Sequence, residues 1–178
     1  MPMVELTTTK GALDDAAKQQ LAGELSTIAL ELEAAPVDFG DAEHMQALAW
    51  CFVNEQDVFL GGQVHPKPIY RVTVTIPDGA PGLIGPLAER GRKELVKRVT
   101  AAVLTAEGSE NTMVEAHRVW VHLREMTNGH WAGFGEIFTV QDAAAYGLNT
   151  DEPGSRIDRM RRAALESIAE ASPRIAAG

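Results

Sequence analysis

One pattern occurs twice in this chain. Residues 2–9 read PMVELTTT and residues 68–75 read PIYRVTVT, each a proline followed by a β-rich run that ends in threonine. Further on, WCFVNE at 50–55 lies over WVHLRE at 120–125. A helical pattern separates the two strands of each copy. Leu21, Leu25, Ile28 and Leu32 recur at three- and four-residue spacing in the first copy, and Leu87, Leu95, Val99, Ala102 and Val103 form the comparable stripe in the second. Asp14 and Asp15 stand near the positive N-terminal end of the first helix, where carboxylates are stabilised. Such a repeat leaves few architectures open. Each copy is a β-α-β unit, and parallel strands joined by right-handed helical crossovers leave one sheet face covered by helices and the other bare.

The expected fold is therefore α+β: two tandem β-α-β repeats forming a four-stranded sheet with two helices on one face. Both copies continue into a glycine-containing hairpin, NEQDVFLGGQ in the first and REMTNGHWAGFGEIF in the second. Residues 36–45 and 108–117 are expected to connect helix to strand, and the segment after about 150 predicts one further helix. The expected boundaries are 1–66 for the first repeat, 67–142 for the second and 143–178 for a C-terminal extension. In the last main strand Val119, Val121 and Leu123 alternate with Arg118, Trp120, His122 and Arg124, so the first set is expected to face the helices. The second set is too apolar at Trp120 to sit in water, which predicts an oligomer.

Composition narrows the function. A formal net charge of -9 argues against nucleic acid as a partner, because neutralising phosphates needs clustered Lys and Arg. The densest basic run, RIDRMRR, reads as the solvated face of a helix. No apolar run is long enough for a membrane-spanning helix and no signal segment precedes the first strand, so a cytoplasmic protein without a membrane partner is expected. The single cysteine, Cys51, lies within ALAWCFV and reads as a packed thiol. His44, His65, His117 and His130 lack zinc-site spacing, and no phosphate loop or dinucleotide fingerprint occurs, so neither metal nor cofactor is expected.

With its Pro2, its paired β-α-β units and the hairpin EMTNGHWAGFGE, the chain resembles the tautomerase superfamily. Members of that superfamily carry a proline directly after the initiator methionine. The hairpin is similar to that of the 4-oxalocrotonate tautomerases, and the two-repeat layout, DVFLGG and VWVHLREM look more like the cis-3-chloroacrylic acid dehalogenase group. The resemblance spans roughly residues 2–140. It implies a homotrimer in which removal of Met1 leaves Pro2 as a free secondary amine, a general base for a small-molecule substrate, with a carboxylate the expected class. Burial of an amine disfavours its ammonium form and brings a base towards neutral pH. Pro68 occupies the same place in the second repeat, but its nitrogen is an amide and cannot be a base.

Several positions depart from that pattern. The two substrate-binding arginines of the dehalogenase group fall on Ile76 and Gly79, its tyrosine on His122, its hairpin glutamate on Gly133 and its helix histidine near Ala29. Dehalogenation is accordingly not expected. His122 is a candidate acid beside the proline base, or else a histidine satisfied at a subunit interface. Arg124 is the remaining candidate for a carboxylate anchor, with a structural ion pair as the competing reading. Trp131 stands where the short tautomerases carry an aromatic residue lining the pocket. Glu136 could replace the missing carboxylate if the hairpin register slips. Lys10 is expected to take no part in catalysis. The readings left open are a Pro2-dependent isomerase, a lyase that adds water to an unsaturated acid, and a trimeric scaffold whose site has decayed.

Overall fold

The computed structural model describes residues 2–35, 43–80, 82–83 and 88–175. Leu87 of the second helical stripe, and most of the first helix-to-strand connection, lie outside them. In chain order the main elements are strand β1 (Met3–Thr9), helix α1 (Asp15–Ala34), the single turn α2 (Glu43–Gln46) and strand β2 (Trp50–Gln56). The short hairpin β3 (Phe59–Leu60) and β4 (Gln63–Val64) follows, then β5 (Tyr70–Pro77) and α3 (Ala88–Glu107). After the turn α4 (Met113–Ala116) and strand β6 (Val119–Met126) come the hairpin β7 (Ala132–Gly133) and β8 (Glu136–Ile137) and two helices, α5 (Val140–Leu148) and α6 (Arg156–Ile175).

The four main strands form one sheet in the order β2-β1-β5-β6. Within each repeat the strands are parallel, β1 with β2 and β5 with β6, and the two repeats meet where β1 runs antiparallel to β5. Helices α1 and α3 cover one face. Asp14 starts α1 by accepting the Ala17 N–H, and α1 buries Leu21, Leu25, Ile28 and Ala29. Helix α3 buries Leu95, Val99, Ala102 and Val103, and these residues close on Val4, Leu6, Val72 and Val74 of the central strands. Val119, Val121 and Leu123 face this core, as the alternation predicts.

The opposite sheet face is uncovered in the single chain. Trp50 is 55% exposed and Trp120 65% exposed. Their settings repeat: each indole N–H donates to a carbonyl three residues back, Trp50 to Ala47 at 3.1 Å and Trp120 to His117 at 3.2 Å. The β-α-β repeat therefore extends to the turn that feeds each second strand.

Arg118 corrects the sequence reading. It does not share the outer face of β6 but is 2% exposed, with its guanidinium against Glu107 and Glu115, both at 2.7 Å, and donating to the Pro68 carbonyl. The strand begins one residue later, so the alternation does not reach Arg118. RIDRMRR is corrected in part: Arg162 is solvated, whereas Arg161 is buried, paired with Asp151 and seated over the Tyr146 ring. The expected single C-terminal helix is instead the pair α5 and α6. These build a second core, in which Tyr146, Ile157, Met160 and Ala164 pack with Leu30, Met45, Leu48 and Phe138. Cys51 is the packed thiol its surroundings suggest, half-buried against the main core, with burial pushing it up to about 11.

Candidate active site

Strand register decides which side chains meet at the head of β1. On the helix-free face Trp50, Met3, Thr75 and Arg124 form one row across the four strands, and Phe52, Glu5, Thr73 and His122 form the next. Alternation follows from the pleat, so Val4 and Leu6 point the other way, into the core. Pro2 shares their parity. It is buried, one residue beyond the Met3–Thr75 pair and hence beside Ile76, which is 2% exposed.

A cleft of about 450 Å³ opens over the first row. Met3, Glu5 and Thr75 form its floor, Arg124 stands on the β6 side, and His130 and Trp131 come from the hairpin segment after β6. The Arg124 guanidinium makes no hydrogen bond or ion pair with any described residue. Trp131 is half-buried and backed by the second core, with its carbonyl accepting the Phe138 N–H at 2.8 Å. Arg124 gives the cleft a cation and Trp131 an aromatic wall, while Glu5 and Glu125 put two carboxylates in the same lining.

The sequence candidates are thus brought together in part. Arg124 and Trp131 line one cleft, and Pro2 precedes its floor residue Met3 but faces the core side of the sheet. His122 lies one row along from Arg124, exposed on the outer face and not part of the cleft lining. Glu136 is held away: it accepts from Arg156 at 3.1 Å. Lys10 is exposed and paired with Asp57 at 3.0 Å. Ile76 belongs to the core, and Gly79 takes a positive φ of 90° in the turn after β5, so neither position offers a cation.

Sequence reasoning missed Glu33. It is 8% exposed at the C-terminal end of α1, and burial pushes its carboxyl above the usual carboxylate range. The available signal was an acid four residues after core-facing Ala29, at a position that an α-helix turns inward.

No protein-family model matches the chain, and no curated protein matches its sequence. Solved structures do match its shape. The crystal structure of N1, a member of the cis-3-chloroacrylic acid dehalogenase family, superposes with a TM-score of 0.64 at 16% identity, covering 90% of this chain and 98% of N1. This is the fold of the tautomerase superfamily. A fused 4-OT, F6, solved as an asymmetric trimer, has a TM-score of 0.56 at 14% identity and covers 76% of this chain and 94% of its own. The macrophage migration inhibitory factor-like protein of Entamoeba histolytica also has a TM-score of 0.56, at 16% identity, covering 77% and 98% of the two chains. The two repeats of this chain hold the sheet, the two helices on its face and both hairpins. Helices α5 and α6 are added to the two-repeat plan.

Proposed function

We propose that this chain is a cofactor-independent isomerase of small 2-oxo or enol acids, in which the secondary amine of Pro2, freed by removal of Met1, is the general base. The observation that carries this reading is the unpaired Arg124 in a cleft floored by Met3, the residue that follows Pro2 on β1. A carboxylate held by Arg124 gains charge-assisted hydrogen bonds of about 1.5 to 3 kcal/mol each. Trp131 covers the flat conjugated part of the substrate and keeps water away from it. The Pro2 nitrogen then removes a proton next to the carbonyl, or from the enol oxygen, and returns it at the other end of the conjugated system. Burial favours the neutral amine that this step needs.

His122 serves this chemistry across a subunit boundary. It stands on the exposed face with Trp50, Phe52 and Trp120, which we propose is covered by two further copies in a homotrimer, the assembly named for the fused 4-OT neighbour. In that arrangement His122 is an acid offered to a neighbouring cleft. One observation favours a second reading, a trimeric scaffold without activity: Ile76 and Gly79 stand where the dehalogenase pattern has its arginines.

The test is ketonisation of phenylenolpyruvate by protein whose intact mass shows the loss of Met1. Catalysis above buffer is expected, and Arg124→Ala is expected to raise KM at least tenfold, as loss of one charge-assisted contact requires. Full retention of Met1, or no catalysis by the processed protein, overturns the isomerase reading in favour of the scaffold.

A further inference from the structure

The corner that holds Pro2 is built from three directions. Strands β1 and β2 are parallel, so α1 runs back antiparallel to both and brings its C-terminal end over the head of β1. Strand β5 is antiparallel to β1, so its last residues, Ile76 and Pro77, finish beside the same head. Beyond β5 the chain turns onto the end of α1, where the Gly82 N–H donates to the Glu33 carbonyl at 3.2 Å. The approach is close: a Cβ on Gly82 would fall 1.8 Å from the Leu32 carbonyl oxygen. Glu33 is thereby enclosed at the end of the molecule where Pro2 is buried, on the same side of the sheet.

We infer that Glu33 is the proton partner of Pro2, a buried carboxyl at the same corner that sets when the amine is free to act as a base. The inference rests on the isomerase reading for its purpose, not for its geometry. Enclosure penalises the charge on both groups, and burial pushes the Glu33 carboxyl above the usual carboxylate range. Other charges near this corner are already engaged or exposed. Arg92 donates to the Leu83 carbonyl at 3.1 Å, Glu31 pairs with Arg98 on the outer side of α1, and Asp78 is exposed after β5.

Amine and carboxyl then share one proton at rest. In the productive form the proton is on Glu33 and the Pro2 lone pair is free. A substrate proton arrives on Pro2 and leaves again to the substrate's other end, so Glu33 ends each turnover as it began. Glu33 is a positioning group for charge rather than a group that touches substrate. It occupies a turn of α1 next to Ala29, where the dehalogenase pattern has a histidine, and so places an ionisable group near the base by another route.

The experiment is an NMR titration of the Pro2 nitrogen in protein labelled with ¹⁵N-proline and freed of Met1, in wild type and Glu33→Gln. Loss of the carboxylate is expected to lower the amine midpoint by about one pH unit, and the acid limb of kcat/KM is expected to move with it. The wild-type signal is expected to show two inflections, one from each member of the pair, a readout that survives if Glu33→Gln fails to fold. A single inflection, or an amine midpoint unchanged in a folded Glu33→Gln, overturns the inference. A coupled titration in a protein that catalyses no ketonisation would leave the inference standing and overturn the isomerase reading alone.

Discussion

Arg156 of α6 donates to Glu136 of the last hairpin at 3.1 Å, and the same guanidinium reaches the Ile137 carbonyl at 3.2 Å and pairs with Asp142 of α5. The appended helices are thus tied to the strand pair that follows Trp131. Phe138 continues the connection by packing edge-on to Tyr146. The two C-terminal helices thereby support the hairpin segment from which Trp131 reaches the cleft.

Arg156→Ala is expected to lower stability by about 1 to 2 kcal/mol through lost charge-assisted hydrogen bonds. Because the hairpin also carries Trp131, KM for an enol acid is expected to rise more than kcat falls. Urea unfolding and steady-state kinetics on the same preparation check the two parts.

Arg118 is a stronger test of the core. Replacing it with Ala leaves Glu107 without its cation and Glu115 with Lys67 alone, and breaking a buried pair in this way costs about 3 to 5 kcal/mol. The loss should appear in equilibrium urea unfolding. A change under 1 kcal/mol would show that the network contributes little.

Asp151 links stability to pH. A hydrogen bond from Arg161 holds its carboxyl below the usual carboxylate range. A carboxyl depressed on folding stabilises above its unfolded pKa, and the contribution is lost as pH falls through the folded value. Asp151→Asn is therefore expected to lower Tm at neutral pH, and the gap from wild type is expected to narrow in strongly acidic buffer. Melting curves across an acid series read this directly.

Trp120 tests the assembly. An indole 65% exposed on the edge strand β6 of the helix-free face is expected to be covered by another copy, so Trp120→Glu should shift the mass measured by light scattering from trimer to monomer. An unchanged mass would place the interface elsewhere.

The sheet and its two helices were legible because the chain states them twice, and WCFVNE over WVHLRE carried the strand pairing. Arg118 was misplaced because a period of two was extended one residue before the strand begins, into a turn where Arg118 N bonds to the Glu115 carbonyl. Helix α5 was not foreseen, although Thr139 and Asp142 form a capping box whose spacing is visible in the sequence. Arg124 and Trp131 could be named from alternation and resemblance, but their shared cleft depends on the register of β5 against β6 and on the hairpin's path. Glu33 was hidden because the stripe of α1 was read for apolar residues alone. Its burial follows from the Gly82 segment folding over it, a contact between distant parts of the chain.

The most direct measurement compares kcat/KM for phenylenolpyruvate ketonisation between wild type and Pro2→Ala, both shown by mass to lack Met1. Removing a general base is expected to reduce the rate at least a hundredfold, with the fold and Tm kept. Equal rates in the two proteins would contradict a role for the Pro2 amine as the base.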